Sequence, residues 1–233
     1  PARGEKVGAL ASEAGGTAYM VLLAGMLALL AQYSRQDDIV IGSPISGRTH
    51  RDTEGMAGMF VNTLAMRGKP QAGKPFAAFL EELIQTCLDA YQHQEYPFEE
   101  LVEAVSTRRD LARNPLFDVM LALQNNEDVT LELDGLPISR TFLDDGQAKF
   151  DLSFTFTGRE GGYLLEGAYC ADLFRPETVR RMIDHYVTLL ENALGNPALP
   201  LGALTILSAA ERAQVLEGFN QSGDACPENR TIV

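Results

Sequence analysis

Hydrophobic positions recur along this chain in two rhythms, one near 3.6 residues and one of 2, and together they lay out the elements. Residues 4–14 read as a short helix that Gly15-Gly16 breaks. Thr17 then caps a second helix running to about Ser34. Asp37-Asp38 opens a strand at Ile39–Ile41 that is expected to end before Pro44, and Phe60–Met66 is a second strand. From Pro75 to Gln92, Phe76, Phe79, Leu80, Leu83, Ile84, Cys87, Leu88 and Tyr91 make one helical stripe. Pro97 suits the first turn of a further helix, with Glu99 and Glu100 near its positive end and Phe98, Leu101, Val102 and Val105 on its inner face.

The rhythm then changes. Leu116–Leu123 is an apolar run, Val129–Leu133 alternates, and Asp134-Gly135 reads as a turn. Phe150, Leu152, Phe154 and Phe156 alternate with polar residues, and the Gly158–Gly162 loop returns the chain into Tyr163–Cys170. That is a hairpin with one buried face. Helical spacing resumes at Pro176–Leu194 through Val179, Met182, Ile183, Tyr186, Leu189, Leu190, Ala193 and Leu194, with Gly195 placed to close the helix. Ser208-Ala-Ala-Glu211 is a capping box that opens a short helix to about Gly218, and Phe219–Val233 is polar, as in a linker. This order predicts an α/β fold of the α+β sandwich kind, helices packed on a mixed sheet, since the long hairpin argues against an all-parallel one.

Composition narrows the function classes. The 233 residues are 45% apolar, enough for a full core. With 19 basic and 32 acidic residues the net charge is −13, which repels nucleic acid and anionic membranes, so neither is an expected partner. The longest apolar run, Ala18–Ala31, suits a buried helix and is too short to span a bilayer. Cys87, Cys170 and Cys226 are odd in number and lack zinc spacing, so they read as thiols in a reducing cytoplasm, and no metal site is expected. The start at Pro1, without a signal region, and the end at Val233 read as cuts from a longer polypeptide.

Candidate chemistry is sparse. No metalloprotease, P-loop, dinucleotide or nucleophile-elbow motif occurs. The carboxylate pairs Asp37/Asp38, Glu81/Glu82, Glu99/Glu100 and Asp144/Asp145 are neighbours in sequence and do not face each other, so they read as solvated charges or caps. Of the three histidines, His93 is expected to bond backbone through its ring at a helix junction. His185, off its helix's apolar stripe, and His50, in a loop, are expected to face solvent.

Three longer segments carry a resemblance. The first joins Ile39-Val-Ile-Gly-Ser-Pro-Ile-Ser-Gly-Arg48 to Gly58-Met-Phe-Val-Asn-Thr-Leu-Ala-Met-Arg67. The second is His93-Gln-Glu-Tyr-Pro-Phe-Glu-Glu-Leu-Val102. The third is Arg109-Asp-Leu-Ala-Arg-Asn-Pro-Leu-Phe-Asp-Val-Met120 with Leu123-Gln-Asn125. In this order they resemble the condensation domain of nonribosomal peptide synthetases, a member of the chloramphenicol-acetyltransferase-like superfamily. The family's paired-histidine, Asp-Gly catalytic motif is absent from this chain, so the resemblance implies the C-terminal lobe, residues 1–207. Residues 208–233 then resemble the helix and linker toward an adenylation domain.

The resemblance implies several roles. Gly42, Pro44, Gly47 and Arg48 would line the acyl-transfer tunnel, with 48–60 as the floor loop, and Asn62 and Thr63 would either donate hydrogen bonds toward it or, equally, satisfy sheet or turn backbone groups. Asp151 would pair with Arg48 structurally. A latch would lie between Gln124 and Tyr169. No catalytic residue is expected in this lobe and no cofactor bound directly; the phosphopantetheine arms of donor and acceptor carrier domains would deliver substrates. The other implied partners are the N-terminal lobe and a downstream adenylation domain. The alternatives are a lobe of an epimerization domain or other acyltransferase, or a non-catalytic carrier-binding scaffold.

Overall fold

The structure is a computed structural model and describes residues 3–105, 113–124, 131–133, 136–138 and 146–220. Asp134-Gly135, Asp144/Asp145, Cys226 and the linker beyond 220 lie outside the described residues, as does part of the Arg109–Met120 segment.

Helices α1 (Arg3–Glu13) and α2 (Ala18–Ser34) open the chain. Thr17 caps α2 by accepting from the Met20 N–H, and Arg35 ends it in a left-handed conformation, its N–H returning to the Ala31 carbonyl. Every residue from Tyr19 to Leu30 is buried. A helix apolar all round must be enclosed on all sides, and α2 is: α1, α3 (Phe76–Gln92), α5 (Pro176–Gly195) and strand β1 (Ile39–Ile45) surround it. No single described helix is long and apolar enough to cross a membrane.

Beneath the helices lies a five-stranded mixed sheet in the order β2-β1-β3-β6-β7. Its other strands are β2 (Asn62–Gly68), β3 (Val119–Gln124), β6 (Leu152–Arg159) and β7 (Gly162–Tyr169). β1 and β2 are antiparallel from Ile39↔Gly68 to Ile45↔Asn62, β3 runs parallel to both β1 and β6, and β6–β7 is the expected hairpin. β4 (Leu131–Leu133) and β5 (Leu136–Ile138) form a separate antiparallel pair inside the expected latch segment. β1 continues through Pro44 to Ile45 instead of stopping before the proline. Its pairing to β3 is at Gly42↔Met120, so past that point β2 supplies the ladder, and a residue without an N–H is tolerated on the other side.

The helix-facing side of the sheet is apolar: Ile41, Leu64, Met66, Leu121, Leu152, Phe154 and Phe156 are all buried against the helices. α5 seals one end, Tyr186 lying against Phe156 at 5.5 Å and donating its hydroxyl to the Leu22 carbonyl at 3.1 Å. α4 (Phe98–Val105) departs from expectation. None of its residues is fully buried and Val105 is 54% exposed, because α4 packs chiefly on the margin of β2 and on Phe117. The chain closes with α6 (Ala209–Leu216), whose Ser208–Glu211 capping box forms as expected.

Candidate functional site

The first two sequence segments form one structure. Past β1 the chain turns at Gly47, whose φ of +63° is a left-handed conformation, and a Cβ there would stand 1.8 Å from the Phe60 carbonyl oxygen. Only glycine meets both conditions. The turn lets residues 48–60 fold back on themselves around Arg48. Its guanidinium donates to the Thr53 carbonyl and to the Gly58 carbonyl at 3.5 Å, and it stacks over the Phe60 ring at 4.3 Å. The loop thus carries its own cation as an internal brace. The expected pairing with Asp151 is not what this side chain makes: its planar donor fork is taken up by carbonyl oxygens of the same loop. Asp151 instead uses its backbone carbonyl, which accepts from the Cys170 N–H.

Asn62 is the hinge pin between this loop and the α3–α4 junction. Its Nδ2 donates to the carbonyls of Gln94 (2.8 Å) and Tyr96 (2.9 Å), while its Oδ1 accepts from the N–H groups of Thr63 (2.9 Å) and Phe98 (3.3 Å). Two donors and two acceptor positions are all that a primary amide offers. Asn62 therefore satisfies backbone and does not present free donors to an adjoining space, and Thr63 contributes a backbone N–H to the same network. A second tie runs from Thr49 Oγ1 to Glu95 Oε1 at 2.8 Å.

Gly42 has a different reason to be glycine. The Phe117 ring lies directly on it, and a Cβ there would come within 2.1 Å of that ring. Phe117 is buried between Phe98 of α4 (5.5 Å) and Phe150 (5.8 Å). The Asn114-Pro-Leu-Phe117 segment thereby anchors α4 to the sheet face opposite the helices. Pro44 is exposed and Thr63, its partner across the strands, half-buried on that same face. The register carries this face on to Met120 of β3 and Ser153 of β6. Exposed apolar side chains cluster nearby: Met56, Met59 at 89% exposure, Val61 and Tyr96, with Val105 at the end of α4.

None of the histidines is arranged for general-base chemistry on this face. His50 is exposed and caps the short 3₁₀ turn Arg51–Thr53 by accepting from the Asp52 N–H. His93 caps α3 through its backbone N–H, which reaches the Ala90 and Tyr91 carbonyls, while its ring is exposed and not the bonding group expected. His185 overturns its expectation outright. It is 5% exposed, with Nδ1 2.7 Å from the Tyr33 hydroxyl and Nε2 3.0 Å from Glu211 Oε1. It lies three residues after Met182 and four before Leu189, a helical spacing that marks the buried side, but its covering partners come from α2 and α6. Burial pushes the Cys87 thiol up to about 12, so it is inert packing. Among the described residues no group of acidic, histidine and cysteine side chains could hold a metal.

Known proteins agree with this geometry. The chain is 44% identical over 223 residues to tyrocidine synthase 3 of Brevibacillus parabrevis, covering 96% of this chain and 3% of that protein. It is 42% identical over 223 residues to bacitracin synthase 1 of Bacillus licheniformis, covering 96% of this chain and 4% of the relative. The chain thus spans a small fraction of the length of these relatives. A four-domain nonribosomal peptide synthetase bound to AMP and glycine shares the fold at a TM-score of 0.80 and 22% identity, over 90% of this chain and 17% of that one. The first condensation domain of the CDA synthetase aligns at a TM-score of 0.71 and 18% identity, over 88% of this chain and 46% of that domain. The condensation domain family model matches residues 2–216, and the chain belongs to the condensation domain family.

Proposed function

We propose that this chain is the C-terminal lobe of a nonribosomal peptide synthetase condensation domain, and that the intact domain joins two carrier-bound thioesters through an amide bond. In that reaction the acceptor amine attacks the donor thioester carbonyl. The C–N bond forms, the C–S bond breaks, and the donor's thiol leaves with a proton. The observation that carries the reading is the braced loop: Gly47, Arg48 and Asn62 hold residues 48–62 rigidly across one end of the sheet and clamp them to the 93–98 junction. A loop so fixed is a wall rather than a lid, which suits a channel that must keep a shape around two reactants. Coverage of 46% of a solved condensation domain supports the assignment to one lobe.

The chain's own share of the work is positional. It supplies channel wall and floor, with Gly42, Pro44 and Thr63 on the sheet face beside the loop, and a surface for donor and acceptor carrier domains, whose phosphopantetheine arms bring in the thioesters. The base that takes the amine proton belongs to the companion lobe, because His50, His93 and His185 are respectively in an exposed loop, at an exposed helix end and buried beneath α6. The apolar group Met56, Met59, Val61 and Tyr96 is the surface that the companion lobe covers. An adenylation domain downstream and a cytoplasmic location, in keeping with the free Cys87 and Cys170, complete the reading. The test is a condensation assay with two loaded carrier domains. Residues 1–233 alone are expected to give background turnover, restored when the companion lobe is supplied. Turnover by this chain alone would refute the division of labour.

A further inference from the structure

The buried His185 belongs to none of this. It lies on α5, and both of its ring nitrogens are engaged: Tyr33 of α2 on one side and Glu211 of α6 on the other. A neutral ring carrying its proton on Nε2 donates to the Glu211 carboxylate and accepts the Tyr33 hydroxyl proton at Nδ1, so one tautomer satisfies the whole chain of bonds. Glu211 also works within its own helix. Its Oε2 accepts from the Ser208 N–H at 2.9 Å and from the Ser208 hydroxyl at 2.8 Å, closing the capping box. One carboxylate therefore both starts α6 and attaches it.

The attachment of α6 is otherwise thin. The stretch before it is tied down firmly: Gln32 Nε2 donates to the Leu201 and Leu204 carbonyls, and Asn192 Nδ2 to the Thr205 carbonyl. Those bonds stop at Thr205. No residue of α6 is buried, and its apolar residues Val215 and Leu216 are exposed, followed by Phe219 at 73% exposure. A surface helix ordinarily docks through an apolar stripe. α6 leaves its apolar residues in solvent and meets α5 through the His185–Glu211 hydrogen bond.

We propose that the Tyr33–His185–Glu211 chain is a releasable clasp, and that α6 is an arm hinged at Leu207, just past the core-packed Ile206, that docks and undocks as one unit on it. The charged groups around it are Glu211 from α6, and Arg181 of α5, which interacts with the Tyr33 hydroxyl at the far end. Removing the ring or the carboxylate opens the clasp. This device stands apart from the proposed function and would operate in a scaffold or an enzyme alike.

Hydrogen–deuterium exchange on the full 233-residue chain tests it. His185→Phe keeps a ring in the buried site and deletes both contacts. Exchange across residues 209–216 is expected to rise about tenfold, the loss of a hydrogen bond to a charged group, with the amides of α2 and α5 unchanged. Ser208→Ala, which removes the side-chain cap but keeps the His185 contact, is expected to raise exchange in the first turn alone. Equal α6 exchange in wild type and His185→Phe would overturn the clasp. If His185→Phe fails to fold, Tyr33→Phe decides: it deletes one exposed-edge hydroxyl and is expected to loosen α6 by about threefold, and no change there would equally overturn the proposal.

Discussion

The two sides of the sheet are built on different terms. On the helical side α2 is wrapped by three helices and strand β1, and its Tyr19–Leu30 stretch is buried within this chain. On the opposite side α4 is half-covered, Val105 and Met59 face solvent, and order is kept by a guanidinium brace, an asparagine clamp and one aromatic anchor. The first side holds the fold; the second holds a shape. A surface kept rigid by local polar bonds, while its apolar residues stay uncovered, is prepared for something to rest against it.

The sharpest way to break this contrast is to cut one large side chain from each side. Phe79→Ala, at 1% exposure beneath α2, is expected to cost about 3–5 kcal/mol in urea unfolding. Met59→Ala in the loop is expected to change stability by less than about 0.5 kcal/mol. Comparable losses at the two sites would mean the loop face is already part of the core. A middle-sized effect belongs to the close contact between the sheet and its aromatic anchor. Gly42→Ala drives a methyl into the Phe117 ring and is expected to cost about 1–3 kcal/mol. Adding Phe117→Leu should recover part of it, so a double-mutant cycle that shows simple additivity would show the ring is not what enforces the glycine.

The smallest effect is electrostatic. The backbone N–H and hydroxyl of Ser208, then His185, hold the Glu211 carboxyl down at about 2, from an ordinary 4.5. Because the folded value is the lower one, the contribution of this group is whole above about 4.5 and is lost as pH falls through about 2. Carbon-detected NMR of the Glu211 carboxyl should show that displaced midpoint, and a midpoint near 4.5 would mean neither contact persists in solution.

Much of the helical side was legible in the sequence because its signals are local and repetitive. The stripes of α3 and α5, the hairpin alternation and the Ser208–Glu211 capping box are each set within a short stretch, and each appears where expected, except that Leu88 at the end of the α3 stripe is exposed. The loop side was legible as a segment but not as a set of partners. Arg48 invites pairing with a carboxylate, yet carbonyls five and ten residues on take its donors. Asn62 invites a role toward solvent or substrate, yet its acceptors lie 32 and 34 residues away across the α3–α4 junction. His185 is the same lesson inside a helix: its covering groups come from 152 and 26 residues away. Spacing reports which face a residue occupies; it does not report which backbone or helix will arrive there.

The enclosure of α2 has a consequence for how the protein is made. The helix is translated before α5, and the Tyr186 hydroxyl that reaches its Leu22 carbonyl is encoded 164 residues later. At about 5–20 residues per second that gap is on the order of ten to thirty seconds. Throughout it, this seventeen-residue apolar helix can lie against α1, β1 and later α3, but the side that α5 covers stays open. The segment best protected in the finished molecule is therefore the one most in need of a chaperone during synthesis, and a slow stretch of codons between α2 and α5 would lower soluble yield without altering one residue of the product.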